Sequence, residues 1–420
     1  MTEQKKTRIL ILGAGFGGVY AFKKLHKIFH GNKNIELIIV NSSNYFLFTP
    51  LLHEVATGGI SPENVTEPLR KVLGCCLVDL YVAEVTRVDL KKKNVETTVG
   101  VIAYDYLLMA LGSTTQFFDT LGAEENSFTL KNLSDALRLK NHYLTTIERA
   151  SKIADREERK KMLRIAIVGG GPTGVELAAE TAELFYNTFN SFYSEEIIQD
   201  IEIILLQRGK ELIPMFSEPV RKRAMKELQK DRVKIKLNTA VHSVTKEGIR
   251  TTDGEILLTH TVIWVAGVTP HQIDIDGNIT KNTRGCIMVS PTMQVAGHPE
   301  VFVIGDMAHC PGPNGVDPLP AMAQVAVAQG RKVAKNIAAL IFGKKLDPIN
   351  YQSKGMLISL GEWMAAGDVK GFHFSGKVAW WLWRTVYLTK LISWQKKLQV
   401  ALDWTIDLFS PRDISEFDHF

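Results

Sequence analysis

Residues 8–18 read Arg-Ile-Leu-Ile-Leu-Gly-Ala-Gly-Phe-Gly-Gly, an apolar run that passes directly into Gly13-Ala14-Gly15-Phe16-Gly17-Gly18. The run reads as a buried strand, Val19 to Phe29 carries the apolar spacing of a helix, and Ile35 to Val40 reads as a second buried strand. Strand, GxGxxG, helix, strand is the order that a dinucleotide-binding turn requires. Gly13 permits the sharp turn, Gly15 lets the backbone approach a pyrophosphate, and Gly18 lets the helix pack on the strand. The helix N-terminus then faces the phosphates. Alone the motif is weak evidence; its flanks supply the context that gives it meaning.

The unit recurs about 155 residues later. Leu163 to Val168 is apolar, Gly169-Gly170-Gly171-Pro172-Thr173-Gly174 repeats the glycine spacing, Val175 to Phe185 reads as helix, and Ile201 to Leu206 as strand. Two such units predict an α/β chain with two Rossmann-like dinucleotide-binding domains. The ordinary chemical reason to hold two dinucleotides is hydride transfer between a nicotinamide and a flavin. Tyr104 to Ser113 and Val262 to Val268 read as buried strands ending in small residues, where chain crossovers need close backbone packing. Val301 to Asp306 is a further strand ending in Gly-Asp, and Asp306 at a strand's carboxyl end suits the hydroxyls of a ribityl chain. Residues 148–162 are charge-mixed and read as a solvated helix or linker with no assigned function.

Composition narrows the class. The 420 residues are 45% apolar and 23% charged, with a net charge of +5, which fits a multidomain globular chain and lacks the dense basic stripe of a nucleic-acid binder. The excess charge is local: between Asp368 and Asp403 there is no acid but six bases, Lys370, Lys377, Arg384, Lys390, Lys396 and Lys397. Cys75, Cys76, Cys286 and Cys310 show no CxxC pair, predict no disulfide framework or metal site, read as small buried hydrophobes, and fit a reducing, cytosolic setting. The glycines after Lys5, Lys6 and Arg8 argue against a signal peptide. No stretch reaches the ~18 consecutive apolar residues of a spanning helix. Six of the seven tryptophans lie at or after Trp363. From Val378 to Leu408, Trp380, Trp383, Tyr387, Leu388, Leu391, Trp394 and Leu398 recur at helical spacing between bases, the pattern of an interfacial amphipathic helix on anionic lipid. The alternative is a helix packed on the protein's own core or in a dimer interface.

With GAGFGG, GGGPTG, VIWVAG and VFVIGD in this order, the chain resembles the two-dinucleotide-binding-domain flavoproteins and, more narrowly, the type II NADH:quinone dehydrogenases. Asn44-Tyr45 with Phe48 to Leu52, the segment Pro320 to Gly330, and the Trp-rich basic C-terminus carry the narrower likeness. The resemblance implies non-covalent FAD at the first unit, NADH at the second, and a membrane quinone, menaquinone or ubiquinone, as acceptor in a non-pumping respiratory reaction. It implies a homodimer at the cytoplasmic face of the cell membrane. Domains are expected at 1–115 and 271–345 for FAD, 116–270 for NAD(P)H, and 346–420 for a membrane-anchoring region.

By the same resemblance, FAD is expected against Gly13, Ala14, Gly15, Phe16, Gly17, Gly18, Asn41, Ser42, Thr49, Pro50, Val85, Ala110, Gly112, Asp306 and Ala323. The nicotinamide dinucleotide is expected against Gly169, Gly171, Pro172, Thr173, Gly174, Gln207, Arg208, Ala266 and Gly267. Glu176 is the expected catalytic residue, by nicotinamide binding or by proton delivery to the quinone; the alternative is an acid favoured at a helix N-terminus. Gln324 is the expected quinone-lining residue, joined by Gln329. The sequence departs from the family motif AQxAxQ here, because Ala328 stands where its second glutamine belongs. It departs again at the second strand of each unit, where Asn41 and Gln207 replace the usual acid. Gln207, flanked by Arg208 and Lys210, would not repel a 2′-phosphate, so NADPH is expected to be accepted beside NADH. Two other functions remain open: a soluble ferredoxin or rubredoxin reductase, and a flavoprotein of the apoptosis-inducing-factor type with little quinone turnover.

Overall fold

The computed structural model describes residues 6–74, 78–312, 318–369 and 371–415. Cys75, Cys76 and Lys370 lie outside the described residues. The chain packs as two units: Met1–Phe46, Thr66–Thr114 and Val268–Gln352 form one, and Leu47–Val65, Thr115–Gly267 and Ser353–Phe420 form the other.

In the first unit the opening apolar run becomes the strand Thr7–Leu12, whose Ile9, Leu10, Ile11 and Leu12 have no exposed surface. It lies in parallel between Ile35–Asn41 and Tyr106–Met109. Val78–Val82 and His298–Val303 extend the sheet in parallel, and Gln294–Val295 joins one edge antiparallel. Buried parallel strands have no wet face, which is why they read as unbroken Ile, Leu and Val rather than as alternation. The helix Phe16–Phe29 leaves the first strand and packs against Ala323–Ile341. The approach is close enough that a Cβ on Gly330 would stand 2.3 Å from the Gly17 carbonyl oxygen. A small sheet of Val85–Asp89, Asn94–Thr97, Gly100–Ala103 and Asp274–Asp276 completes the unit's main elements.

The second unit repeats the plan. Arg164–Val168 lies in parallel between Glu202–Leu206 and Thr261–Trp264, with Val233–Lys236 outside. The helix Pro172–Glu183 follows the central strand, as Phe16–Phe29 does in the first unit. The three-stranded sheet Met356–Ser359, Ala365–Val369 and Phe372–Gly376 then leads into the C-terminal helices. The charge-mixed stretch resolves into the end of the helix Leu133–Ala150 and the short helix Arg156–Met162, capped by Asp155.

The C-terminal pattern, expected to be one helix, is two: Lys377–Lys390 and Trp394–Ile406. Leu391 takes extended backbone and ends the first, and the Ser393 side chain accepts from the Lys396 N–H to start the second. The expected lipid face is corrected too. Trp380, Trp383 and Trp404 are 2%, 1% and 3% exposed, so these rings pack within the unit. The exposed apolar side chains are others, among them Trp381, Leu382, Trp394, Leu398, Leu402 and Phe409. No helix of the described residues is long and apolar enough to cross a membrane. Cys310 is buried as expected, whereas Cys286 is only half-buried.

Candidate functional site

Each glycine loop is shaped by contact on two sides and left open on a third. Gly13 has φ +92°, and a Cβ there would stand 2.4 Å from the Ala110 carbonyl oxygen; a Cβ on Gly18 would stand 1.9 Å from that of Gly13. Gly15, by contrast, has nothing within 4 Å of that position. The second loop matches: a Cβ on Gly169 (φ +121°) would meet Ala266, one on Gly174 would meet the Gly169 carbonyl, and Gly171 faces open space. Both helices start at these open glycines, Gly15 and Gly171, without a side-chain cap, so their first N–H groups remain for a ligand. An open middle glycine and an uncapped helix start fit a dinucleotide pyrophosphate at each loop.

Asn41 and Gln207 perform the same task in their respective units. The Ala14 N–H donates to Asn41 Oδ1 at 2.8 Å, and the Gly170 N–H donates to Gln207 Oε1 at 3.0 Å. The amides that replace the usual acid are therefore engaged in holding the glycine loop to the second strand. Asn41 Nδ2 donates to the Ser43 carbonyl and hydroxyl, and Gln207 Nε2 to the Glu211 carbonyl. The exposed Arg208 lies 5.6 Å from the centre of the Phe118 ring, which also borders Gly267.

Of the first unit's expected cofactor residues, Gly13 to Gly18, Asn41, Ala110 and Gly112 gather at the carboxyl ends of neighbouring parallel strands. Ser42 is exposed just beyond Asn41, and Val85 starts a strand of the small sheet. Asp306 accepts from the Ser113 hydroxyl at 2.5 Å. Gln329 is 2% exposed, and its Oε1 accepts from the Gly305 N–H at 2.7 Å, so this glutamine holds the Gly-Asp turn in place. Ala323 and Gln324 open the helix Ala323–Ile341. In the second unit, Pro172 and Thr173 open the helix Pro172–Glu183, and Thr49 and Pro50 form the 3₁₀ turn Thr49–Leu51.

Glu176 stands on that same second-unit helix, 7% exposed, and belongs to a cluster that the sequence reading missed. Glu176, Glu180 and Glu183 are four and three residues apart and so share a helix face. The Ser359 N–H donates to Glu176 Oε1 at 3.3 Å, and Glu176 Oε2 lies 4.0 Å from His53 Nδ1. Burial pushes the Glu176 pKa up to about 8; the Ser359 N–H opposes the shift and Glu180 adds to it. Burial lowers that of His53 to about 4. Beside His53, Glu54 is 5% exposed and accepts from Trp404 Nε1 at 2.5 Å. Burial, with Glu180 nearby, pushes Glu54 up to about 8. Arg412 donates to Glu180 at 2.8 Å, Glu183 at 2.5 Å and Thr57 at 3.0 Å, and its Nε lies 3.4 Å from Asp407. Arg384 sits 3.6 Å from the Trp380 ring centre and 4.9 Å from that of Trp404. Of these side chains, Glu54, Glu180, Glu183, Trp380, Arg384, Asp407 and Arg412 line a narrow cleft. The acid spacing on an apolar helix was the available signal; nothing local marked Arg412.

Residues 7–330 match the pyridine nucleotide-disulphide oxidoreductase family, and residues 353–413 match the NDH2 C-terminal domain. The type II NADH:quinone oxidoreductase Ndh of Mycobacterium tuberculosis is 31% identical over 97% of this chain and 89% of its own length. That of Staphylococcus aureus is 30% identical over 90% of this chain and 93% of its own. The chain belongs to the type II NADH:quinone oxidoreductase family. In fold it is similar to NDH2 from Plasmodium falciparum solved in complex with NADH, with a TM-score of 0.90 at 21% identity, covering 98% of this chain and 100% of that one. The sulfide:quinone oxidoreductase of Aquifex aeolicus shares the fold less closely, with a TM-score of 0.72 at 15% identity, covering 96% and 95%.

Proposed function

We propose that the chain is an FAD-dependent, non-proton-pumping NADH:quinone oxidoreductase that works from a membrane surface. The observation that carries the reading is the pair of glycine loops, each with an open middle glycine at an uncapped helix start, in a chain whose relatives bear that activity by name. Bound FAD would supply the two-electron chemistry that links a nicotinamide to a quinone. In the first unit Gly13 to Gly18 would hold its pyrophosphate and Asp306 would accept from its hydroxyls. In the second unit Gly169 to Gly174 would hold the nicotinamide dinucleotide. Glu176, protonated at neutral pH, is the group we assign to proton delivery, and Gln324 is the side chain we assign to the quinone. Anaerobic rapid mixing tests the reading: NADH must bleach the bound flavin's absorbance, and a menaquinone or ubiquinone analogue must restore it. Colour that does not return on quinone addition would sink the quinone assignment.

Two finer proposals have separate support. NADPH is accepted beside NADH because no carboxylate ends the strand Glu202–Leu206 and Arg208 is exposed there; a several-hundred-fold preference for NADH in kcat/KM would overturn this. Attachment to a membrane surface is supported by the exposed apolar side chains of the C-terminal helices and the bases among them, and we carry forward the cytoplasmic face as a proposal. We also carry forward the homodimer as a proposal, read directly by sedimentation.

A further inference from the structure

Gln324 and Gln329, paired by the sequence motif, do not share a face of the helix Ala323–Ile341. Five residues at about 100° each set them about 140° apart around its axis, whereas Ala328 lies only about 40° from Gln324. Gln324 is half-buried on the first turn, but Gln329 is 2% exposed and its Oε1 accepts from the Gly305 N–H at 2.7 Å. A side chain so enclosed, with its acceptor turned to the backbone, is poorly placed to line a site on the Gln324 face.

What Gln329 touches is the junction of two segments assigned above to FAD. Gly305 has φ +69°, and this left-handed turn sets the direction in which Asp306 leaves the strand His298–Val303. The Asp306 carboxyl is held from its other side by the Ser113 hydroxyl. Gly17 of the first glycine loop packs on the same junction: a Cβ there would stand 2.8 Å from Ile304 Cδ1, and one on Gly330 would stand 2.3 Å from the Gly17 carbonyl oxygen. Glycine loop, Gly-Asp turn and helix therefore meet, and the Gln329 amide bridges helix to turn. Leaving a buried backbone N–H without its acceptor is costly, so loss of that amide should shift the turn. Asn41 and Gln207 use the same device, an amide oxygen accepting from a loop N–H.

We propose that Gln329 is a positioning residue for FAD and not a lining residue of the quinone site. Through the Gly305 N–H it holds the Asp306 carboxyl in fixed relation to the first glycine loop, so that the cofactor meets both at once. The inference rests on the assignment of FAD to the first unit.

The experiment is titration of the apoprotein with FAD, followed by flavin fluorescence. Gln329→Met keeps the length of the side chain and removes its acceptor; it is expected to raise the FAD Kd by about ten- to a hundredfold. Gln329→Glu retains an acceptor oxygen and should recover most of that loss. In an Asp306→Asn background, Gln329→Met should raise the Kd by less than about threefold further, because the two act through one contact, whereas a general loosening of the fold would add its full effect. With FAD saturating, the quinone KM of Gln329→Met should move far less than its FAD Kd. An unchanged FAD Kd, a full effect in the Asp306→Asn background, or a quinone KM that rises as much as the FAD Kd would each overturn the proposal.

Gln329→Asn, one methylene too short to reach Gly305, is measured in parallel and should match Gln329→Met. Amide hydrogen exchange of the wild type needs no variant: the Gly305 N–H must be protected in the apoprotein, and rapid exchange there overturns the tie. A wild type that takes up no FAD would refute the assignment of FAD itself, an outcome distinct from uptake that Gln329→Met leaves unaltered.

Discussion

Trp404 donates its indole N–H to the carboxyl of Glu54 at 2.5 Å, and both side chains are buried within the second unit. A residue of the last helix thus satisfies an acid from the short helix Leu52–Ala56, 350 positions earlier. Trp404→Phe keeps most of the ring and removes the donor. It should cost about 1–3 kcal/mol in urea unfolding and raise the Glu54 pKa further. Trp404→Phe in Glu54→Gln should cost less than in the wild type, and equal costs in both backgrounds would argue against the bond.

The buried acids set a pH dependence of stability whose sign is fixed. Glu54 and Glu176 bind protons more tightly folded than unfolded, with folded pKa values of about 8 against an ordinary 4.5. The folded state therefore holds more protons between those values, and stability falls as pH rises from about 5 to about 8. His53, lowered to about 4, acts in the opposite direction only below its ordinary value of 6.5. Glu176→Gln should reduce the loss between pH 6.5 and 8.5 by roughly 1–2 kcal/mol. Parallel wild-type and variant curves from chemical denaturation would refute the shift.

Arg412 holds Glu180, Glu183 and Asp407 together from a position close to the end of the chain. Arg412→Ala leaves those acids with one cation fewer and should destabilise by about 3–5 kcal/mol. Arg412→Lys should recover only part of this, because an ammonium cannot reproduce the forked contacts. Thermal melts at neutral pH check both.

The glycines of one loop should separate fold from ligand. Gly18→Ala places a methyl on the Gly13 carbonyl and should lower the melting temperature of the apoprotein, by about 1–3 kcal/mol or more in stability. Gly15→Ala meets nothing in the protein and should leave that melt nearly unchanged while reducing FAD retained through gel filtration. Equal effects at both positions would contradict the geometry.

Membrane attachment is best probed on the outer face. Deleting 378–420 would also strip Trp380, Trp383, Trp404 and Arg412 from the unit's interior, so released protein would report unfolding as much as detachment. Trp381→Ser with Trp394→Ser leaves the interior intact and should reduce sedimentation with anionic vesicles, as should added salt. Unaltered binding to those vesicles would exclude this face.

Both nucleotide folds were legible in the sequence because the glycine spacing and the apolar runs are local signals. The run at 8–12 and its counterpart at 163–168 became central strands, and Gly13, Gly18, Gly169 and Gly174 proved to be held by contact. What the sequence hid was long-range. Periodicity shows that Trp380 and Trp394 recur at helical spacing, but not that Leu391 breaks the helix or that Trp380 turns inward while Trp394 stays exposed. His53, Glu54 and Arg412 carry no local mark, because their meaning comes from partners more than a hundred residues away.

The amide ties at Ala14 and Gly170 have a consequence for working range. A carboxylate at Asn41 or Gln207 would lose its charge in acid and slacken its grip on the neighbouring N–H. An amide has no proton to gain or lose in ordinary solution, and its bond is little screened by salt. Both glycine loops should therefore keep one shape from mildly acidic to alkaline buffer and from dilute to saline conditions.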